Sequence, residues 1–272
     1  MTTLRQALTQ ATARIATLSD SPRLDAELLA AHSLGCTREA MLLARLDYPV
    51  PAAFEALVER RLTHEPVAYI TGSRAFWTID LLVGPGVLVP RADSETLIEA
   101  AVDHFAGRTP ARILDLGTGP GTLLLAALAE WPQATGLGVD ASAQALDYAR
   151  RNGDALGMVD RVTWLEGDWT AGIDGPFDLI LANPPYIGTG EALPHEVAGH
   201  EPGGALFAGV DGLDDYRRIV PELPRLLAPG GIATIEIGHE QGDAVLALVA
   251  DVGLPARLVR DLGSRPRCVV AG

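Results

Sequence analysis

The sequence predicts an α/β fold, a mostly parallel sheet covered by helices on both faces, preceded by a small bundle of helices. Three observations carry that reading. From residue 93 onward, short apolar runs alternate with amphipathic stretches of helical period, the pattern of a parallel sheet whose strands are joined by helices. The first 75 residues show helical periodicity only. Between them, residues 76–92 read as extended, with Gly84-Pro85-Gly86 as a turn. Three regions follow: a helical domain over 1–75, a β-hairpin linker over 76–92 and an α/β domain over 93–272.

In the helical region, Thr3 caps a helix carrying Leu4, Ala7, Leu8, Ala11, Ile15 and Leu18, with Gln6 completing a capping box. Ser21-Pro22 opens a second helix, with Leu24, Leu28 and Leu29, that stops at Gly35. Thr37 starts a third with Met41, Leu42 and Leu43, and Pro51 a fourth with Phe54, Leu57, Val58 and Leu62. The hairpin is expected from Ile79–Val83 pairing with Val87–Val89. In the α/β region a helix begins near Asp93. Strands are expected at 112–115, 136–140, 162–165, 177–181 and 231–237, with helices at 121–130, 144–152, 213–227 and 241–252. A short C-terminal strand pair lies around 257–259 and 268–270.

Of 272 residues, 48% are hydrophobic and 21% charged, the balance of a globular protein. No apolar run approaches the roughly 20 residues that span a bilayer, and Met1–Gln6 leads into an amphipathic pattern without a signal core. A cytoplasmic, monomeric protein is expected, with Cys36 and Cys268 as reduced, buried thiols. No Cys/His cluster has metal-ligand spacing, so no metal is expected. The net charge is −14. Residues 1–75 balance 8 Arg against 8 acidic residues, so the whole excess lies beyond them. Long nucleic acid is disfavoured as a partner, because phosphate contacts demand a basic footprint.

Four motifs fall at expected strand ends, where ligands bind in such sheets. In Asp115-Leu116-Gly117-Thr118-Gly119-Pro120-Gly121 an acid precedes a glycine loop that turns into a helix. The spacing is not that of a dinucleotide site. The acid would repel phosphate and attract an ammonium, so the ligand reads as an aminoacyl nucleoside; a bare tight turn is the alternative. Asp140, about 20 residues on, is placed to accept ribose hydroxyls. It could instead cap the next helix, a task Ser142 could also fill. Asp168 could accept from an adenine amino group while Trp169 covers the ring, or Gly167-Asp168-Trp169 could be an exposed turn. In Asn183-Pro184-Pro185-Tyr186, two prolines fix the backbone and remove two N–H donors. The Asn183 side-chain oxygen and Pro184 carbonyl then suit the two hydrogens of a planar –NH2 group, with Tyr186 as a stacking face.

The run from Asp115 to Tyr186 resembles a class I (Rossmann-like) S-adenosylmethionine-dependent methyltransferase of the amino/amide type. The resemblance extends over nearly the whole chain to the protein-(glutamine-N5) methyltransferases that act on bacterial peptide chain release factors. It is carried also by Glu65–Ile70, Val89–Thr96, Ile187, Glu201-Pro202, Asp211-Gly212-Leu213, Pro229-Gly230-Gly231, Glu236-Ile237-Gly238, Asp261-Leu262-Gly263 and Arg265. Ala92 and Ala208-Gly209 depart from that pattern. The resemblance implies S-adenosyl-L-methionine as cofactor, held by Asp115, Gly117, Thr118, Gly119, Pro120, Gly121, Asp140, Asp168, Trp169 and Asn183. It implies a release factor as partner, with the glutamine of its Gly-Gly-Gln tip received by Asn183, Pro184, Pro185 and Tyr186, of which Asn183, Pro184 and Tyr186 carry the catalysis. The helical domain would help grip the release factor. A glutamine methyltransferase of a ribosomal protein, or an adenine methyltransferase acting on a flipped base, would use much of the same machinery; the charge argues against the latter.

Overall fold

The computed structural model describes residues 2–272. Five helices come first: α1 (Leu4–Ile15), α2 (Pro22–Leu34), α3 (Arg38–Ala44), α4 (Phe54–Leu62) and α5 (Val67–Thr71). Strands β1 (Ser73–Phe76) and β2 (Ile79–Leu82) pair as a two-stranded sheet, and a 3₁₀ turn at Ala92–Ser94 leads into α6 (Glu95–Phe105). There follow β3 (Arg112–Leu116), α7 (Thr122–Glu130), β4 (Thr135–Asp140), α8 (Ala143–Ala155), β5 (Val162–Glu166) and β6 (Phe177–Ala182). The chain ends with α9 (His195–His200), α10 (Asp214–Ile219), α11 (Leu223–Leu226), β7 (Leu227–Glu236), α12 (Gly242–Asp251), β8 (Ala256–Arg260) and β9 (Pro266–Ala271).

The chain divides into two compact units. One comprises the residues up to Ser73 together with Leu193–Glu201; the other comprises Arg74–Ala192 and Pro202–Gly272. In the first unit, Thr3 and Gln6 form the expected capping box: the Thr3 hydroxyl accepts from Gln6 N–H, and the Gln6 side chain accepts from Thr3 N–H at 3.0 Å. α2 starts at Pro22 and ends on Gly35 at φ 61°, the left-handed conformation glycine adopts without strain. Leu4, Leu8, Ile15, Leu29, Met41, Phe54 and Val58 are fully buried in one core. Leu24 and Leu43, expected among the apolar positions, are instead exposed, Leu43 to 88%; alanines 26, 30 and 31 fill the core in their place. The fourth helix begins at Phe54, not at Pro51. The segment Leu193–Glu201 is held in this unit by the buried Arg61, which donates to Asp25 at 2.9 Å and to Glu196 at 2.8 Å. Breaking one partner of such a buried pair leaves an uncompensated charge, which costs several kcal/mol.

The hairpin lies earlier than expected. β1 and β2 are joined at Trp77-Thr78, with Trp77 at φ 52°, and Val87–Val89 forms no strand. A tryptophan in left-handed conformation carries none of the Asn or Gly signal by which such turns are read. Buried Asn152 on α8 fastens β2: its side chain accepts from Leu82 N–H at 2.7 Å and donates to Leu82 C=O at 3.0 Å and to Pro120 C=O at 2.9 Å.

The seven-stranded sheet has the order β5-β4-β3-β6-β7-β9-β8. All pairings from β5 to β7 are parallel, and β9 runs antiparallel to both β7 and β8. Successive strands β3, β4 and β5 march one way and β6 and β7 the other, so the switch point falls between β3 and β6. The expected helix over 213–227 is broken into α10, a 3₁₀ turn and α11, since Pro221 and Pro224 each remove a helical hydrogen-bond donor.

Candidate active site

The register places the glycine loop and the Asn-Pro-Pro-Tyr motif side by side. Asp115 and Leu116 of β3 pair with Leu181 and Ala182 of β6, so Gly117 and Asn183 leave the sheet together at the switch point, where ligands bind in α/β sheets. A cavity of about 440 Å³ opens there, within the range of small-molecule sites. Asp115, Gly117, Thr118, Gly119, Pro120, Asp140, Asp168, Trp169, Asn183 and Pro185 all line it. Gly121, Pro184 and Tyr186 do not: Gly121 precedes α7 at φ 86°, packed against Leu125 and Trp164, and Pro184 is buried.

Asp115 is 1% exposed. Its Oδ2 accepts from the Thr118 hydroxyl at 2.6 Å and from Leu124 N–H at 3.2 Å, while Oδ1 is buried with no partner among the described residues. Burial pushes its pKa up to about 7. An orphaned carboxylate oxygen on a cavity wall matches a ligand that brings a cationic group. Asp140 accepts from Gly119 N–H at 2.7 Å and Ser142 N–H at 2.8 Å, and burial also raises its pKa. Ser142 is the N-cap of α8, accepting from Ala145 N–H at 3.1 Å, so Asp140 is spared that task.

Trp169 takes φ 50°, and the edge of its indole packs on Gly117, where a Cβ would lie only 3.0 Å from the ring. Its Nε1–H donates to Asp215 at 3.0 Å. The exposed Asp168 is paired with Arg218. Asp215 and Arg218, on α10, line the cavity as well; sequence reading missed both, and nothing in their spacing ties them to residues almost 50 positions earlier.

Tyr186 is fixed through its backbone. Gln241 donates from Nε2 to Tyr186 C=O at 2.9 Å and Gly212 C=O at 3.2 Å, and accepts from Gly238 N–H at 3.0 Å. Gly212, at φ 70°, passes so close that a Cβ would fall 2.2 Å from the Tyr186 oxygen, a physical reason for the Asp-Gly-Leu motif. Burial raises the Tyr186 hydroxyl to about 12. The hydroxyl therefore stays protonated near neutral pH.

Behind Asn183 lies a second group that motif reading left without a role. Asn183 Nδ2 donates to Ser94 Oγ at 3.3 Å. Ser94 also hydrogen-bonds the carboxyl of Glu236, which burial pushes up to about 7 against the lowering effect of Ser94 and Arg267. Arg267, nearly buried, pairs with Asp93 at 3.0 Å and Asp261 at 3.3 Å.

Residues 6–72 match the family described as PrmC N-terminal domain, and residues 92–198 the family described as methyltransferase small domain. A methyltransferase from Pyrococcus furiosus superposes with a TM-score of 0.52, at 18% identity, over 78% of this chain and 95% of that one. Fold and sequence together thus define a class I methyltransferase with a helical N-terminal unit. Among curated relatives, the release factor glutamine methyltransferase of Rhodospirillum rubrum is 47% identical over 93% of this chain and 79% of its own length. That of Xylella fastidiosa (strain 9a5c) is 44% identical over 97% and 95%. The chain belongs to the release factor glutamine methyltransferase family. Among the described residues, no helix is long and apolar enough to cross a membrane.

Proposed function

We propose that this enzyme transfers a methyl group from S-adenosyl-L-methionine to the side-chain amide nitrogen of the glutamine in the Gly-Gly-Gln tip of a peptide chain release factor. The observation that carries the proposal is that Asn183 and the Asp115 glycine loop leave adjacent strands and line one cavity. One ligand in that cavity lies within reach of an amide placed at Asn183. The residues present fit the cofactor: Asp115 has a buried oxygen awaiting a positive donor, the glycine loop gives close backbone approach, and Asp140 stands free of helix capping. Asp115, Asp140 and Trp169 would hold its ammonium, ribose and base. When bound, it supplies an electrophilic sulfonium methyl.

The chain's own task is to make a poor nucleophile react. An amide lone pair is delocalised into its carbonyl, so orientation must supply much of the rate. The Asn183 side-chain oxygen, on the cavity wall, accepts one amide hydrogen, aligns the nitrogen and stabilises the positive charge that grows on it. The Pro184 carbonyl, although Pro184 does not line the cavity, is the motif's acceptor for the second hydrogen. Tyr186 and Pro185 confine the amide plane. No carboxylate base is required next to the amide, because the methylated nitrogen gives up its surplus proton readily to water.

The test is transfer of labelled methyl from the cofactor to purified release factor, to a copy with the tip glutamine replaced, and to DNA. Label on the intact release factor alone is the expected result. Label on DNA, or an equal signal on the glutamine-replaced copy, would overturn the substrate.

A further inference from the structure

Asn183 performs its proposed task only if its oxygen faces the substrate. The side chain is nearly symmetric in shape but opposite in chemistry at its two ends: Oδ1 accepts, while Nδ2 carries two donors. Rotated by half a turn about its last bond, the amide would set its own –NH2 against the –NH2 of the substrate. Something must decide between the two faces, and local backbone geometry does not.

Three strand and loop ends converge on this point. Ala182 of β6 pairs with Ile235 of β7, so the next residues along the two strands, Asn183 and Glu236, sit beside each other. Ser94, in the 3₁₀ turn before α6, lies between them and is 2% exposed. Its hydroxyl has one proton to give. Glu236, equally buried at 2%, accepts a hydrogen bond from Ser94 when ionised, and Ser94 Oγ is then left as an acceptor. Asn183 meets it with Nδ2 at 3.3 Å. The chain of donors then runs in one direction, from Asn183 through Ser94 to Glu236, and the Asn183 oxygen is turned away from it. The other Glu236 oxygen, Oε2, is buried with no partner among the described residues. A carboxylate kept in so costly a place for structural reasons alone would be better replaced by an amide or an apolar residue.

We infer that Ser94 and Glu236 are positioning residues that set the facing of the Asn183 amide, acting through a one-way hydrogen-bond relay. The inference rests on the methyl-transfer reading for its effect on turnover, but the relay itself is a property of the resting enzyme. Glu236 does not line the cavity, and Ser94, which borders it, has its hydroxyl engaged by Glu236 and Asn183.

The experiment combines kinetics with a measurement that needs no substrate. Ser94→Ala is expected to lower kcat about 30-fold while KM for the release factor and cofactor Kd change less than about threefold, the signature of an interaction that matters only at the reacting centre. Ser94→Thr, which keeps the hydroxyl on the same carbon, should recover most of the loss. Glu236→Gln keeps the shape but can donate toward Ser94 and reverse the relay; kcat should fall while the melting temperature holds or rises, since a buried charge has been removed. In parallel, hydrogen exchange of the Asn183 side-chain amide is followed by NMR in the free enzyme. It should be about tenfold faster in Ser94→Ala than in the wild type or Ser94→Thr, because one N–H loses its acceptor. Wild-type turnover in Ser94→Ala, no rescue by Ser94→Thr, or unchanged exchange at Asn183 would each overturn the relay. A wild-type enzyme that labels no release factor would sink the substrate reading instead, and the exchange measurement would still decide the relay.

Discussion

Asp115 and Glu236 lie at the carboxyl ends of strands two places apart in the same sheet, and burial treats them alike. Each is almost wholly buried, is pushed up to about 7 and keeps one oxygen with no partner among the described residues. They differ in what surrounds them. Asp115 lines the cavity and is helped only by Thr118 and a backbone N–H. Glu236 lies off the cavity, in the field of Arg267 and Arg91, with Ser94 between it and Asn183. One carboxyl borders a cavity, where a cationic ligand would answer it; the other has Arg267 and Arg91 in its surroundings, opposed by Asp93. A buried acid at a strand end is therefore not a binding residue by virtue of burial alone. The wall it faces decides.

The largest effect expected from this division falls on Asn183, where the two environments meet. Asn183→Ala removes the acceptor without touching Asp115, so kcat should drop at least about 100-fold, the scale of losing one preorganised polar contact to a developing charge. Cofactor affinity measured by calorimetry should stay within about threefold of the wild type. Turnover close to wild type would remove Asn183 from the chemistry altogether.

Asp115→Asn tests the other side. The unpartnered carboxylate loses its charge, and on the proposed cofactor role affinity should weaken about 10- to 100-fold, the worth of a charge-assisted hydrogen bond. The pH dependence sharpens this. Asp115 must be ionised to attract a cation, so wild-type affinity should rise as pH climbs through about 7 and level off above it. Asp115→Asn should bind with the same affinity across that range. A parallel slope in the variant would assign the titration to another group.

Stability should move in the opposite sense. Both carboxyls have folded pKa values raised above the unfolded ones, so the native state binds more protons between about 4 and 7. Their favourable contribution is complete below the unfolded values and is lost as pH rises through about 7. The ligand-free enzyme should therefore gain stability from these groups as pH falls from 8 to 5. Asp115→Asn, neutral throughout, should show a melting-temperature advantage over the wild type that grows from pH 5 to pH 8 to several degrees. An advantage independent of pH would mean that Asp115 is not being held protonated by burial.

Legibility from sequence divides along related lines. Thr3, Gln6, Gly35 and Ser142 announce the helix ends they serve, because capping is settled within a few residues. The strands ending at Leu116, Asp140 and Ala182 are legible because a sheet buried on both faces needs continuous apolar runs, and the motifs mark where each run stops. Most of the residues so marked do line one cavity. The hairpin is not legible because Trp77 takes a left-handed turn usually reserved for glycine or asparagine. The apolar periodicity over 213–227 runs on past Pro221 and Pro224, where the helix itself breaks. Ser94 and Glu236 stood in view only as pieces of a family resemblance. Their 142-position separation becomes a contact only once the register of β6 against β7 is known, as does the pairing of Trp169 with Asp215.

The smallest effect belongs to the cavity's outer edge, and it tests whether environment or mere proximity to the ligand confers importance. Arg218 lines the same cavity as Asp115 and pairs with Asp168 and, at 3.8 Å, with Asp215. Unlike Asp115, its side chain is 50% exposed and that of Asp168 65%. Water screens such pairs, and their measured worth is about 0–1 kcal/mol. Arg218→Ala should change cofactor Kd by less than about threefold, and less still in high salt, where the wild-type pair is already weakened. Trp169 keeps its bond to Asp215 in the variant, so quenching of its fluorescence by the cofactor should persist. A tenfold loss of affinity would show that Arg218 holds more than Asp168 in place, and that the division between buried and exposed walls of the cavity is too simple.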